Sequence, residues 1–210
     1  MKVFIVGLGY AYGHMFKEAG FTVVDNIEDC DLVQFIGGAD VNPALYGHGI
    51  HPTTSFSTHT DAADAQYYEH AKRMGLPMTG ICRGGQFLNV SNGGKMVQDT
   101  NKHAVAAGHL AYDLESQAAI AVSSTHHQMM IPTAGARIVA IAHEATYKYT
   151  VPNAITLDIQ SSMKNDVEVI YYEDTKCLCF QPHPEFTGVE QCRDYYFACL
   201  KKYLGVSVAP

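Results

Sequence analysis

The chain has 210 residues, of which 47% are hydrophobic and 17% are charged, and this composition is typical of a globular protein. Its length predicts one domain, residues 1–210, with a large core. The net charge of −7, without any Lys/Arg cluster, argues against nucleic acid as the main partner.

Neither a membrane span nor a metal-binding cysteine pattern is found in the sequence. No apolar run approaches the roughly 18 residues of a membrane span, and no signal peptide is expected because Met1-Lys2 leads directly into a strand. The cysteines lack a zinc-binding spacing, since Cys177-x-Cys179 has no second ligand pair nearby. A cytoplasmic protein with reduced thiols and no membrane partner is the simplest interpretation.

Apolar runs separated by glycine, proline and polar stretches predict alternating strands and helices. The predicted elements, in chain order, are strand Val3–Val6, helix Tyr10–Ala19, strands Phe21–Val24 and Leu32–Ile36, a helix from Asp61 to about Met74, strand Leu76–Thr79, helix Gln86–Ser91, a short strand ending at Val97, strands Ala119–Val122, Arg137–Ile141, Ala154–Ile159, Val167–Tyr172 and Cys177–Phe180, and helix Val189–Tyr203. Asn101–Leu110 receives no assignment. The alternation predicts an α/β fold with a mostly parallel sheet and helices on both faces. The strand-rich second half predicts an antiparallel extension.

The turn after the first strand carries a glycine pattern like that of a dinucleotide site. Gly7-x-Gly9-x-x-x-Gly13, followed by Asp25 at a strand end, resembles the nucleotide-binding fingerprint. Tyr12, however, stands where that fingerprint needs a small residue. A tight turn between strand and helix is therefore the favoured interpretation, and nucleotide binding is the alternative.

Two glycines, Gly37 and Gly38, follow the third strand and allow backbone N–H groups to point into a cleft as oxyanion donors. An ordinary glycine turn is the alternative. The loop from His48 to Thr60 contains three histidines but no carboxylate, so a solvated or lid-like loop is favoured over a metal site. Asp61 and Asp64 fit the N-cap and acidic first turn of the helix that follows.

The segment Gly80-Ile81-Cys82-Arg83-Gly84 has the pattern of a nucleophile on a sharp turn from strand to helix. Glycines two residues before and after Cys82 leave room for the strained backbone. The N-terminus of the following helix can lower the pKa of the thiol and hold a developing oxyanion. The alternative is a small buried cysteine without a chemical role.

Two polar segments follow predicted strands in the second half. Ser124-Thr125-His126-His127-Gln128 could hold a polar substrate or form a polar turn. His183, after the last strand, could take the thiol proton of Cys82 and return it to a leaving amine. Glu185 could fix the orientation of that imidazole, completing a nucleophile–base–acid triad.

Four motifs together resemble the class I glutamine amidotransferase-like proteins, most closely the γ-glutamyl-γ-aminobutyrate hydrolase type of peptidase family C26. The matching segments are Gly37-Gly38-Ala39-Asp40-Val41-Asn42-Pro43-Ala44-Leu45-Tyr46-Gly47, Gly80-Ile81-Cys82-Arg83-Gly84-x-Gln86-x-Leu88-Asn89-Val90, Ser124-x-His126-His127-Gln128 and Gln181-x-His183-Pro184-Glu185. They occur in the order found in the family and span residues 37–185.

This resemblance implies a flavodoxin-like sheet and a Cys82-His183-Glu185 triad. It also implies oxyanion donors at the backbone of Gly38 and Arg83. By the same resemblance Gln86 contacts the glutamyl part of the substrate, and His126 and His127 border the pocket. Neither a metal nor an organic cofactor is implied.

The implied reaction is hydrolysis of a γ-glutamyl amide through a γ-glutamyl thioester, which releases glutamate and either ammonia or an amine. The chain departs from the family pattern at Thr60-Asp61, where Arg-Asp is frequent, and at Gln181-Pro182, where an aromatic residue usually follows the glutamine. Free glutamine with a separate ammonia-accepting ligase or synthetase is slightly favoured. An autonomous γ-glutamyl-amine or peptide hydrolase and a catalytically silent binding domain are the alternatives.

Overall fold

The computed structural model describes residues 1–143, 146–151, 159–160 and 165–207, with 159–160 described by the backbone alone. Its helices and strands are β1 Lys2–Val6, α1 Tyr10–Glu18, β2 Thr22–Val24, β3 Leu32–Phe35, α2 Thr58–Met74, β4 Met78–Ile81, α3 Arg83–Ser91, β5 Lys95–Val97, β6 Asp99–Thr100, β7 Ala104–Asp113, β8 Ala119–Thr125, β9 Met129–Ile131, β10 Arg137–Ala142, β11 Lys148–Thr150, β12 Ile159–Gln160, β13 Asp166–Tyr172, β14 Cys177–Phe180 and α4 Glu190–Leu204. The strand predicted at 154–159 lies, except for its last residue, outside the described residues.

One large sheet of the described chain has the strand order β2-β1-β3-β4-β14-β13-β10-β7-β8. The pairs from β2 to β14 are parallel, and those from β14 to β8 are antiparallel. The prediction of an α/β fold in which a parallel sheet carries an antiparallel extension is therefore confirmed. Two smaller groups, β12-β11-β6 and β5-β9, lie outside this sheet.

The central strands β3, β4 and β14 are buried along their whole length, because helices cover both faces of the sheet, as parallel strands require. One core layer includes Tyr68 of α2 and Phe87 of α3. The other includes Phe16 of α1 and Tyr196 of α4. Among the described residues, the helices are too short or too polar to cross a membrane.

The start of α2 differs from the prediction. Ser57 is its N-cap, and the Ser57 side chain accepts a hydrogen bond from the Thr60 N–H at 3.3 Å. Asp61 lies in the first turn of the helix, as predicted, Asp64 lies in the next turn, and both are buried. Three residues apart, they share one helix face, so their carboxylates turn toward α3 and do not cap α2.

The region that received no assignment, Asn101–Leu110, contains most of strand β7. Its ladder with β8 is irregular, because Val105 pairs with Ser124 and the next pair joins His109 to Val122. A step of four residues on β7 thus matches a step of two on β8. This irregularity is a β-bulge, which changes the direction of nearby side chains. The bulge disrupts the alternation of polar and apolar residues that predicts a strand.

Glycines give α3 its close approach to the sheet. A Cβ atom on Gly84 would lie 2.3 Å from the Phe35 carbonyl oxygen, and one on Gly80 would lie 2.2 Å from the Gly84 carbonyl carbon. Real side chains do not approach backbone atoms so closely. The turn between β4 and α3 therefore depends on these two glycines for its position.

We predict that Gly84→Ala lowers the free energy of unfolding by about 1–3 kcal/mol, the usual effect of forcing an extra carbon into a packed site. Gly135→Ala is the matched control, because a Cβ at Gly135 meets no atom within 4 Å. Urea denaturation of both variants measures the difference. Equal midpoints for the two variants would contradict the packing described here.

Candidate active site at the carboxyl edge of the sheet

Cys82 occupies the sharp turn between β4 and α3. Its backbone has φ 51° and ψ −115°, a left-handed conformation that is strained for a residue with a side chain. Two hydrogen bonds hold it: the Cys82 N–H donates to the Phe180 carbonyl at 2.8 Å, and the Gln86 N–H donates to the Cys82 carbonyl at 2.9 Å. Cys82 is also the one partly exposed thiol among six free cysteines, all of which lie in the described residues.

His183 reaches the same edge because β14 runs parallel to β4, with Phe180 opposite Ile81. A Cβ atom on Gly37 would lie 3.0 Å from His183 Cε1 and 3.7 Å from Cys82 Cβ, so the imidazole and the thiol face one point. His183 Nδ1 lies 2.6 Å from Glu185 Oε1. That contact assigns the proton to Nδ1 and leaves Nε2 for Cys82.

Burial alone would lower the pKa of His183, but hydrogen bonds to Cys82 and Glu185 outweigh it and raise the pKa to about 10. Two further residues position the ring and its backbone. Phe186 stacks on the imidazole at 4.6 Å between centroids. Ser123 Oγ accepts from the His183 N–H at 2.7 Å and donates to the His183 carbonyl at 3.1 Å.

Sequence reasoning missed these contacts. Ser123 belongs to a strand distant in sequence, and Phe186 supplies an aromatic face that Pro182 does not. Tyr12 was missed too: its hydroxyl accepts from the Gly37 N–H at 2.9 Å. Burial and the nearby charge of Glu185 raise the pKa of Tyr12. The residue that breaks the nucleotide fingerprint thus packs against the candidate site.

The two expected oxyanion donors lie close together. Arg83 is the first residue of α3, so its N–H has no acceptor within the helix. A Cβ atom on Gly38 would lie 3.4 Å from Arg83 Cδ. The Arg83 N–H therefore stands beside Cys82 at the positive end of the helix dipole, and Gly38 packs against the Arg83 side chain.

The Arg83 side chain has a separate role, binding the two buried carboxylates of α2. Its guanidinium lies 2.5 Å from Asp61 and also contacts Asp64, and it packs over the Phe87 ring at 5.6 Å. Burial raises the pKa of Asp64 despite the opposing effect of Arg83. This ion pair ties the first turn of α3 to α2. The sequence signal for it was the pair of acids three residues apart.

A cleft of about 230 Å³ opens beside the thiol. It is lined by Gly38, Ala39, Asp40, Thr53, Ser55, Cys82, Gln86, Thr125, His126, His127 and Gln128. The loop after residue 48, predicted to be lid-like or solvated, thus supplies part of one wall. A larger cavity of about 480 Å³ lies between β7, β8 and residues 186–191, and Cys82 is not part of its lining.

The remaining expected site residues differ in their surroundings. Gln86 donates to the Gln181 side chain at 3.2 Å. The His127 ring lies 3.3 Å from Asp40 and 3.7 Å from Asp99, and its hydrogen bond to Asp40 raises its pKa despite partial burial. His126 is almost fully buried at the wall of the cleft, and its ring centroid lies 4.6 Å from that of His103.

A family model described as peptidase C26 matches residues 16–185. The chain belongs to the peptidase C26 family. A relative named glutamine amidotransferase-like protein YvdE, from Lactococcus lactis subsp. lactis (strain IL1403), is 28% identical over 207 residues, covering 82% of this chain and 78% of the relative. The resemblance to glutamine amidotransferase-like proteins is thereby confirmed.

Solved structures show the same fold. PurLQS from Thermotoga maritima superposes with a TM-score of 0.64 at 13% identity, covering 93% of this chain and 95% of that chain. The glutaminase domain of Trypanosoma brucei CTPS with bound acivicin superposes with a TM-score of 0.56 at 13% identity, covering 99% and 95%. The flavodoxin-like α/β fold is confirmed.

We predict that iodoacetamide at neutral pH modifies folded protein once, at Cys82. The other five thiols are buried, and burial raises the pKa of Cys177 to about 11 and of Cys192 and Cys199 to about 12, so they stay protonated and unreactive. Intact mass and peptide mapping measure the adducts. Cys82→Ala should gain none until it is denatured, and prompt labelling of that folded variant would refute the prediction.

Proposed function

We propose that this member of the C26 family hydrolyses a γ-glutamyl amide, with Cys82 as nucleophile, His183 as base and Glu185 as the group that orients the base. The observation that carries the proposal is the convergence of the three side chains at one sheet edge, beside an open cleft. The fold and the glutamine amidotransferase-like relative support the same class of chemistry.

In the proposed reaction His183 Nε2 accepts the thiol proton of Cys82, and the thiolate attacks the amide carbon. The N–H groups of Gly38 and Arg83 hold the oxyanion that forms. His183 then donates its proton to the leaving nitrogen, releasing ammonia or an amine and leaving a γ-glutamyl thioester. Water, deprotonated by His183, attacks the thioester, and the thiolate leaves and is reprotonated as glutamate is released.

The cleft favours a small substrate. Its volume of about 230 Å³ is below the roughly 300–1,000 Å³ of pockets for drug-sized ligands. The Asp40–His127 pair offers a negative and a positive group to a substrate that carries both an ammonium and a carboxylate, and Gln86 lines the same wall. Free glutamine fits this chemistry, and a small γ-glutamyl amine is the second candidate.

A separate ammonia-accepting ligase or synthetase is part of the proposal when glutamine is the substrate. The support is the fold shared with the glutaminase domain of CTPS. Glutamine turnover that rises when a partner enzyme is added would identify this mode. Equal or faster hydrolysis of a γ-glutamyl amine without a partner would identify an autonomous hydrolase.

We predict that 6-diazo-5-oxo-norleucine, a glutamine-shaped electrophile, adds once to the wild-type protein and not to Cys82→Ala. The same variant should lose at least about 10³-fold in hydrolysis of glutamine and of γ-glutamyl-p-nitroanilide while remaining folded. Intact mass and ammonia or nitroaniline release measure the two effects. Unchanged hydrolysis by Cys82→Ala would refute the mechanism.

We predict that Glu185→Gln lowers kcat/KM by about 10²–10⁴-fold and moves the alkaline limb of its pH profile to lower pH. Glu185 raises the pKa of His183, so removing its charge lowers that pKa and the imidazolium–thiolate pair is lost at a lower pH. The exposed Glu173 provides the control Glu173→Gln. An unshifted alkaline limb in Glu185→Gln would show that Glu185 does not act through His183.

A further inference from the structure

Three histidines and a glutamate form a buried cluster behind the candidate active site. His103 precedes β7, His109 lies in β7, His126 follows β8 and Glu168 lies in β13. Their side chains are at most 4% exposed. The His103 ring centroid lies 4.6 Å from that of His126 and 4.8 Å from that of His109.

The nitrogen atoms of the cluster converge on one oxygen. Glu168 Oε1 lies 3.1 Å from His109 Nε2, 3.5 Å from His103 Nδ1 and 3.9 Å from His126 Nε2. Yet neither oxygen of Glu168 accepts a properly directed hydrogen bond from the residues that the structure describes. A buried carboxylate in this state is costly, and a cation among the four groups would satisfy it.

The spacing suits a tetrahedral metal ion. Metal–nitrogen and metal–oxygen bonds of about 2.0–2.2 Å place adjacent ligand atoms of a tetrahedron about 3.3–3.5 Å apart. The ligand atoms of His103, His109 and Glu168 all lie within 4.8 Å of one another. Imidazole with one carboxylate is a donor set for first-row transition metals, and zinc is commonly held by it.

In metal sites a carboxylate commonly accepts a hydrogen bond from the second ring nitrogen of a ligating histidine and so orients the ring. Asp166 is in position to do this for His103. His103 Nε2 lies 2.7 Å from Asp166 Oδ2, which places the proton on Nε2 and leaves the Nδ1 lone pair facing Glu168. Lys148 Nζ lies 2.6 Å from Asp166 and balances its charge. Burial lowers the pKa of His126 and keeps that ring neutral. The negative charge of Glu168 therefore remains to be balanced by another cation.

The bulge in β7 belongs to the same arrangement. Gly108, just before His109, has φ 67°, and a Cβ atom there would lie 2.1 Å from the Val122 carbonyl oxygen. Only glycine tolerates this conformation and approach. The turn at Gly108 shifts the register of β7 against β8. From His109 onward the strand follows the new register, and the His109 imidazole lies beside Glu168.

We propose that His103 Nδ1, His109 Nε2 and a Glu168 oxygen bind one divalent transition-metal ion, zinc in the first instance, with His126 beside the fourth position. The three ligands lie outside the lining of the Cys82 cleft, His126 borders both, and metal binding does not depend on the proposed hydrolysis. The metal site is connected to the cleft through β8. The Ser124 hydroxyl donates to the His103 carbonyl, and Ser123 holds the His183 backbone. A bound ion would fix this end of β8.

The test is a cobalt titration of untagged, full-length protein after removal of metal with a chelator. One equivalent of Co²⁺ should bind per chain and give visible d–d bands without a thiolate-to-cobalt charge-transfer band. Zn²⁺ should displace it, and elemental analysis should then count one zinc per chain. Cys82→Ala should bind the same equivalent, because no thiol belongs to the site.

Glu168→Gln and His109→Gln should each weaken Co²⁺ binding by at least about 100-fold, since each removes a direct ligand, and Asp166→Asn by about 10–100-fold. His14→Gln, which changes an exposed histidine, is the matched control and should bind as wild type does. Circular dichroism of the metal-free proteins checks that the variants fold. If Glu168→Gln does not fold, the cobalt spectrum of the wild-type protein and the affinity of Asp166→Asn for Co²⁺ still test the metal site.

Three results would overturn the proposal: no bound equivalent in wild type at micromolar metal, full binding by both Glu168→Gln and His109→Gln, or loss of binding in Cys82→Ala. The third would place the metal on the catalytic thiol.

Discussion

The backbone of Cys82 is the constraint on which the candidate site depends. A side-chain-bearing residue in this conformation costs about 1–3 kcal/mol, and each hydrogen bond that holds it contributes about 0.5–1.5 kcal/mol. The bond from the Cys82 N–H to the Phe180 carbonyl extends the β4–β14 ladder by one residue. The strained turn therefore exists only where β14 lies beside β4, and the glycines at 80 and 84 allow the helix to start there.

The same strand pairing brings the base to the nucleophile. His183 follows Phe180 by three residues, so the ladder that supports Cys82 also fixes where the imidazole emerges. Ser123 from β8 and Phe186 from the following turn then leave the ring little freedom. Nucleophile and base are thus held by a single feature of the sheet, the junction at which its parallel half meets its antiparallel half.

The parts of the fold that could be predicted are those encoded locally. Apolar runs marked most strands, and glycines around Cys82 marked the turn. The contacts that were missed join distant segments: Arg83 with the acids of α2, Tyr12 with the Gly37 turn, and the three histidines around Glu168. The periodic pattern of apolar and polar residues identifies a helix or a strand, but it does not indicate which element packs against it. A bulge such as that before His109 interrupts the pattern itself.

The buried carboxylates beside the candidate active site and those of the histidine cluster are neutralised by different groups. Asp61 and Asp64 share the guanidinium of Arg83, which supplies a fixed cation and directed donors. Glu168 is equally buried, but within the described part of the chain its charged-group neighbours are imidazoles, and Lys148 is engaged by Asp166. An arginine beside Glu168 would neutralise its charge permanently, whereas imidazoles do so only when they are protonated or share a metal ion with it. Because Ser124 joins β8 to the His103 carbonyl and Ser123 of β8 holds the His183 backbone, an ion bound as proposed would stabilise the strand that supports the candidate base.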